Sequence, residues 1–122
     1  MHALYAPVAR LMESVAADVV LPRYQNLAAD EVSEKAMDDF VTIADRESEE
    51  RLEAGLATIL PEAGVVGEEA SAADPRILEG VGGGVNWIID PIDGTGNFAA
   101  GREGFVSMLA LIQADDILAS WI

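Results

Sequence analysis

A layered sheet protein of the α/β or α+β class is the fold this sequence predicts. Three observations predict it. The N-terminal half carries helical periodicity. After Pro61 the pattern changes to short β-rich apolar runs broken by glycine, proline and acidic residues. The chain's 122 residues, 51% of them hydrophobic, are enough to bury one core. Helices first and strands later, on short connections, favour packed layers over a helical bundle.

The elements follow in order. Over residues 4–21, Leu4, Val8, Leu11, Met12, Val15 and Val19 fall at i, i+3 and i+4 spacings, an amphipathic helix that Pro22 stops. Arg23 to Asp39 is polar and without clear periodicity. A second helix is expected from Ile43 to Leu60, ending before Pro61. Ala44, Ser48, Leu52, Leu56 and Ile59 line its buried face, and Glu47, Glu49, Glu50 and Glu53 form a solvated one. Acidic residues crowd its first half, where the helix dipole favours them. Gly64-Val65-Val66-Gly67 reads as a buried strand leading into Glu68-Glu69. Residues 71–84, with Pro75, Gly80 and the run Gly82-Gly83-Gly84, read as a flexible loop, since no Lys-Ser/Thr follows to make them a phosphate loop. Val85 to Ile89 is a strand ending at Asp90-Pro91, and a short helical turn starts at Thr95. Phe105 to Gln113 and Ile117 to Ile122 are two strands joined by Ala114-Asp115-Asp116. Trp87 and Trp121 read as core anchors and Lys35 as a surface lysine. The last strand is apolar to Ile122, so residues 1–122 are expected to be the N-terminal portion of a longer domain.

Composition narrows the chemistry. The 22 acidic residues against 7 basic ones leave a net charge of −15. Such a surface is repelled by nucleic-acid backbones and anionic lipid, so neither is an expected partner. No apolar run approaches a membrane span, and the N-terminus lacks the basic start of a signal peptide. Cysteine is absent and the single histidine, His2, is terminal. Disulfide frameworks, thiolate metal sites and histidine triads are thereby excluded. What remains is chemistry by carboxylates, hydroxyls, lysine or a hard metal ion.

One stretch stands out, Trp87-Ile88-Ile89-Asp90-Pro91-Ile92-Asp93-Gly94-Thr95-Gly96-Asn97-Phe98. Asp90 and Asp93 sit three apart at the end of an apolar strand. Pro91 stiffens the exit, Gly94 permits a tight turn or a close backbone approach, and Thr95 opens a helix whose first amides suit an anion. Two carboxylates about 4 Å apart repel by about 4 kcal/mol at an effective dielectric of 20. A divalent cation between them removes that cost, and oxygen-only ligands point to Mg²⁺ or Mn²⁺.

This stretch resembles the signature of the inositol monophosphatase family, Mg²⁺-dependent and lithium-sensitive phosphomonoesterases. Gly67-Glu68-Glu69 resembles the family's GEE element. Asp39-Phe40-Val41-Thr42-Ile43-Ala44-Asp45 resembles its D-x-V-T-x-x-D element, with Lys35 upstream. Three motifs in register span nearly the whole chain yet cover only the family's N-terminal half. The later W-D-x-A-A element, which completes the second metal site, is missing. Gly96, Gly104 and Ala70 depart from the residues common at those places, and none removes a proposed ligand.

The resemblance implies a layered α-β-α-β-α sugar-phosphatase-like fold, of which this chain supplies the N-terminal helix pair and mostly antiparallel sheet. It implies Glu68, Asp90, the carbonyl of Ile92 and Asp93 as ligands of two or three Mg²⁺ ions. Asp45 and Thr95 would be the catalytic pair that orients and deprotonates the attacking water. Glu68, Ile92, Asp93, Gly94 and Thr95 would contact the substrate, a small phosphorylated metabolite, with inositol monophosphate first in line. Fructose-1,6-bisphosphate, histidinol phosphate and 3′-phosphoadenosine nucleotides stand as alternatives, as does a non-catalytic metal-binding module. A cytoplasmic protein, homodimeric at full length, is the expectation. Read without the resemblance, Thr42-x-x-Asp45 is a capping box, Glu68-Glu69 a solvated turn and Asp93-Gly94 a turn signal.

Overall fold

The computed structural model describes residues 3–36, 39–73, 84–113 and 116–122. Helix α1 (Tyr5–Val15) begins the chain as the periodicity predicts, but its regular winding ends earlier than Pro22. Ala16–Val20 continue as a widened π turn, and Leu21–Arg23 as a tight 3₁₀ turn containing Pro22. The wide turn lets the adjacent Val19 and Val20 both point inward, Val19 to one hydrophobic cluster and Val20 to another.

The polar stretch that follows holds a hairpin that the sequence does not announce. Strands β1 (Val32–Ala36) and β2 (Asp39–Thr42) pair antiparallel, Ser33 opposite Val41 and Glu34 opposite Phe40. Ser33 and Glu34 are exposed, and the buried residues are the adjacent Val41 and Thr42, so no alternation of apolar and polar residues betrays it. The side chain of Lys35 lies outside the described residues.

Helix α2 (Ile43–Ile59) starts where the sequence puts it. Thr42 is its N-cap, with Oγ1 accepting from the amides of Ala44 at 3.1 Å and Asp45 at 3.4 Å, and the Asp45 carboxylate accepts back from the Thr42 amide at 2.8 Å. The capping box is therefore real. Ala44, Ser48, Leu52 and Leu56 are buried as expected. Glu49 is not solvated as its charge suggested: it is buried at 5% exposure, because it lies one turn from Asp45 on the inner face.

Beyond α2 the chain builds a four-stranded sheet in the order β3-β4-β5-β6, from β3 (Gly64–Gly67), β4 (Val85–Asp93), β5 (Val106–Gln113) and β6 (Asp116–Trp121). β3 and β4 run parallel and the other neighbours antiparallel. Helix α3 (Glu68–Ala73) follows β3 directly, where a loop from residue 71 was expected. The rest of that loop, 74–83, lies outside the described residues, as do Ala114 and Asp115 of the final connection. Helix α4 (Thr95–Ala99) follows β4.

Strand β4 runs on through Asp93 rather than stopping at Asp90-Pro91. Asp90 pairs with Met108 and Asp93 with Val106, so three steps on β4 face two on β5. That extra residue is a bulge, the one place in a central strand where Pro91, lacking an N–H, costs no ladder bond. The Ser107 hydroxyl donates to the Pro91 carbonyl at 2.7 Å and pins the bulge.

One face of the sheet carries the main core. Trp87, Ile89, Leu109, Leu111, Ala119 and Trp121 meet Val8, Val15, Val19, Leu52 and Leu56 from the helices. Both tryptophans are the anchors expected of them, their rings 5.7 Å apart. A second cluster, Val20, Ala44, Ile92 and Phe98, sits beneath the end of β4, with Phe98 and Phe105 edge-to-face at 5.0 Å. No helix among the described residues is long and apolar enough to cross a membrane.

Trp87 is fully buried, whereas Ile117 on β6 is 72% exposed. Trp87→Ala is expected to lower the unfolding free energy by about 3–5 kcal/mol, and Ile117→Ser to change it by less than about 0.5 kcal/mol. Urea denaturation followed by circular dichroism separates the two, and equal losses would contradict this packing.

Candidate active site

Parallel register brings the first two acidic groups together. Gly67 lies opposite Ile89, so the next residues on the two strands, Glu68 and Asp90, leave the sheet side by side. The bulge then carries the chain through Pro91 and Ile92 to Asp93. Ile92 turns its side chain into the second cluster, and Asp93 is exposed. Gly94 ends the strand with φ +89°, a left-handed conformation, and a Cβ there would run into the Gly104 carbonyl oxygen. Both facts require glycine at the start of α4.

Thr95 opens α4 and links this end of the sheet to the start of α2. Its hydroxyl is 2.8 Å from Asp45 Oδ1 and 2.9 Å from the Ile92 carbonyl oxygen. A hydroxyl has one proton, so these two acceptors compete for it, and an ionised carboxylate is the stronger. Asp45 Oδ2 accepts from the Thr42 amide at 2.8 Å and the Thr42 hydroxyl at 2.7 Å. Asp45 is thus fully buried with both oxygens engaged. Burial pushes its pKa above the ordinary carboxylate value, against the lowering effect of the hydrogen bonds from Thr42 and Thr95.

The Glu68 carboxyl lies within hydrogen-bonding reach of the Asp90 carboxyl. Burial first, then that contact and the negative charges of Glu68, Asp93 and Asp45, push the Asp90 pKa up to about 7. Its Oδ1 is buried and accepts no hydrogen bond. An orphaned buried carboxylate oxygen, a second carboxyl close beside it and an all-oxygen donor set fit a hard divalent cation. Among the described residues no three acidic, histidine or cysteine side chains are gathered closely enough to enclose an ion. Glu68, Asp90 and Asp93 are therefore electrostatic neighbours and not a closed cage.

The structure thus joins Asp45, Thr95 and the Ile92 carbonyl by direct hydrogen bonds, and brings Glu68 within reach of Asp90. Asp93 and Gly94 stand at the same strand end. Sequence reasoning missed Glu49, whose Oε1 and Oε2 accept from the amides of Glu69 at 2.7 Å and Ala70 at 2.8 Å. The available signal was its spacing of four from Asp45, which puts both carboxylates on one face of α2.

Comparison with known proteins bears on the family. The model of the inositol monophosphatase family matches residues 3–122. A fructose-1,6-bisphosphatase/inositol-1-monophosphatase of Aquifex aeolicus is 31% identical over 112 residues, covering 92% of this chain and 40% of that protein. A histidinol-phosphatase of Chlorobaculum parvum is 40% identical over 81 residues, covering 66% of this chain and 29% of its own length. Among solved structures, the IMPase of Thermotoga maritima superposes with a TM-score of 0.73 at 27% identity, over 96% of this chain and 42% of that one. The chain spans less than half the length of the relatives it matches.

Thr42 holds the start of α2 and one side of Asp45 at once. Thr42→Ala is expected to cost about 1–3 kcal/mol of stability, the sum of a lost cap and a buried carboxylate oxygen short of a donor. Thr42→Ser, which keeps the hydroxyl, is expected to recover most of it. Paired denaturation curves check this, and an unaffected alanine variant would contradict the network.

Proposed function

Because the chain belongs to the inositol monophosphatase family, we propose that it carries the metal-binding and water-activating residues of a phosphomonoesterase that hydrolyses a small phosphate monoester to an alcohol and inorganic phosphate. The observation that carries this reading is the 2.8 Å contact between the Thr95 hydroxyl and the buried Asp45 carboxylate, beside the close carboxyl pair Glu68 and Asp90.

Glu68, Asp90, the Ile92 carbonyl and Asp93 would hold two or three Mg²⁺ ions, or Mn²⁺ in their place. Bound there, the metal would neutralise phosphate charge and acidify water. The rest falls to the chain itself. The first amides of α4, after Gly94, have no partner within that helix and face the substrate's phosphate. Thr95 Oγ1 takes a proton from the attacking water and passes its own to Asp45 Oδ1. Asp45 is held for this by Thr42, which leaves Oδ1 for Thr95 alone. A net charge of −15 repels a phosphate dianion at long range, so the site depends on its cation for affinity as well as chemistry.

Inositol monophosphate is the substrate to test first. Histidinol phosphate and fructose-1,6-bisphosphate follow, in keeping with the names of the relatives, and then 3′-phosphoadenosine nucleotides. The same reading places the protein in the cytoplasm, as a homodimer at full length, with neither nucleic acid nor membrane as partner.

Phosphate release from inositol 1-phosphate, followed colorimetrically, is expected to be abolished by EDTA, restored by Mg²⁺ and inhibited by Li⁺. Asp45→Asn is expected to lower kcat by about 10²–10⁴. Mg²⁺ binding without turnover of any of these monoesters would identify the chain as a non-catalytic metal-binding module instead.

A further inference from the structure

The first amides of a helix have no partner within it, and the residue before the helix usually supplies a side-chain oxygen for the second and third of them. Helix α3 begins at Glu68, so that residue is Gly67, which has no side chain to offer. The amides in question, those of Glu69 and Ala70, donate instead to Glu49, at 2.7 and 2.8 Å, across 20 residues of sequence. A Cβ built on Gly67 would land on that carboxylate, whose three atoms are its nearest neighbours. The missing side chain of one residue thus makes the space that the other fills.

We propose that Glu49 is the positioning residue for Glu68: its carboxylate, brought in from α2, caps α3 in place of Gly67 and fixes where the first turn presents Glu68. This rests on the reading of Glu68 as a metal ligand. Glu49 touches neither substrate nor metal; it acts through the backbone of α3. Both of its oxygens are used as acceptors, so the task needs a carboxylate. The glutamine amide has one acceptor and would set its NH₂ against the other N–H. Asp45 lies one turn away on the same helix, holding Thr95. Helix α2 therefore fixes the two halves of the site relative to each other, Thr95 through Asp45 and Glu68 through Glu49.

The test is isothermal calorimetry of Mg²⁺ into the full chain and its Glu49→Gln variant, with exposed Glu53→Gln as control. Amide hydrogen exchange at Glu69 and Ala70 is read in parallel. Glu49→Gln is expected to weaken Mg²⁺ binding about 10- to 100-fold and to speed exchange at those two amides, with the far-UV spectrum and the Asp45 side of the site unchanged. Glu53→Gln is expected to change neither. Gly67→Ala, which keeps Glu49 but displaces its carboxylate, is expected to reproduce the loss, and the double variant to be no worse than either single one. This second route decides the matter should Glu49→Gln fail to fold. Unchanged Mg²⁺ affinity in both variants, with the parent binding normally, overturns the positioning role and leaves the phosphatase reading intact. A parent chain that binds no Mg²⁺ overturns both.

Discussion

The interaction on which the rest depends is the Asp45 carboxylate, buried to zero exposure at the first turn of α2. Removing an ionised carboxyl from water costs several kcal/mol, and only a full set of donors offsets that cost. Asp45 has the set: the Thr42 amide and hydroxyl on Oδ2, and the Thr95 hydroxyl on Oδ1. These donors come from two distant parts of the chain. The bond to Thr95 therefore ties the start of the second helix to the end of the central strand, across 50 residues. Ala44, next to Asp45, and Ile92, whose carbonyl faces the Thr95 hydroxyl, lie in the same hydrophobic cluster, which packs behind the bond.

A second constraint works against stability. Four carboxylates, Asp45, Glu68, Asp90 and Asp93, interact within one small region, and burial together with the charges of the other three pushes the Asp90 pKa up to about 7. Each close like-charged pair costs on the order of 4 kcal/mol at 4 Å and an effective dielectric of 20. A fold selected for stability alone would place a neutral or basic residue here. The bulge at Pro91 and Ile92 makes the same point: it breaks a central ladder to aim Asp90 and Asp93 in directions that regular pleating would not allow. Frustration of the backbone and of the charges falls at one strand end, which is where a functional site is expected to concentrate both.

The legible parts of this fold were those with a local signature. Thr42-x-x-Asp45 announces a helix start through its own side chains, and the apolar stripe through Leu52 and Leu56 gives the helix its inner face. Trp87 to Ile89 reads as a strand because it is buried and β-branched, and Gly94 reads as a turn because only glycine accepts φ +89°. The missed parts lacked a local cause. Ser33 and Glu34 bury nothing, so β1 exists only because β2 is there to pair with it. Helix α3 is six residues long and borrows its cap from another helix, so no nearby residue marks its beginning. Glu49 was misread for the same reason: a glutamate among glutamates is a solvated face until something distant turns it inward. For the site, the acidic residues were visible as a motif. What made them neighbours, the register of Gly67 with Ile89, was not.

That register also explains why the site lies where it does. β3 and β4 are the only parallel pair among the described strands, so they point the same way and each leads into a helix. Ligands of α/β sheets bind beyond the carboxyl ends of parallel strands, where successive helices begin and amides are unpaired. Here α3 and α4 each follow a glycine that lets another group come close, Glu49 at Gly67 and the Gly104 carbonyl at Gly94. A carboxylate already caps α3. The first amides of α4 have no partner within that helix and follow directly on the acidic strand end, where an anion is repelled unless a cation neutralises the carboxylates. The need for both at once follows from topology and charge, before any particular substrate is considered.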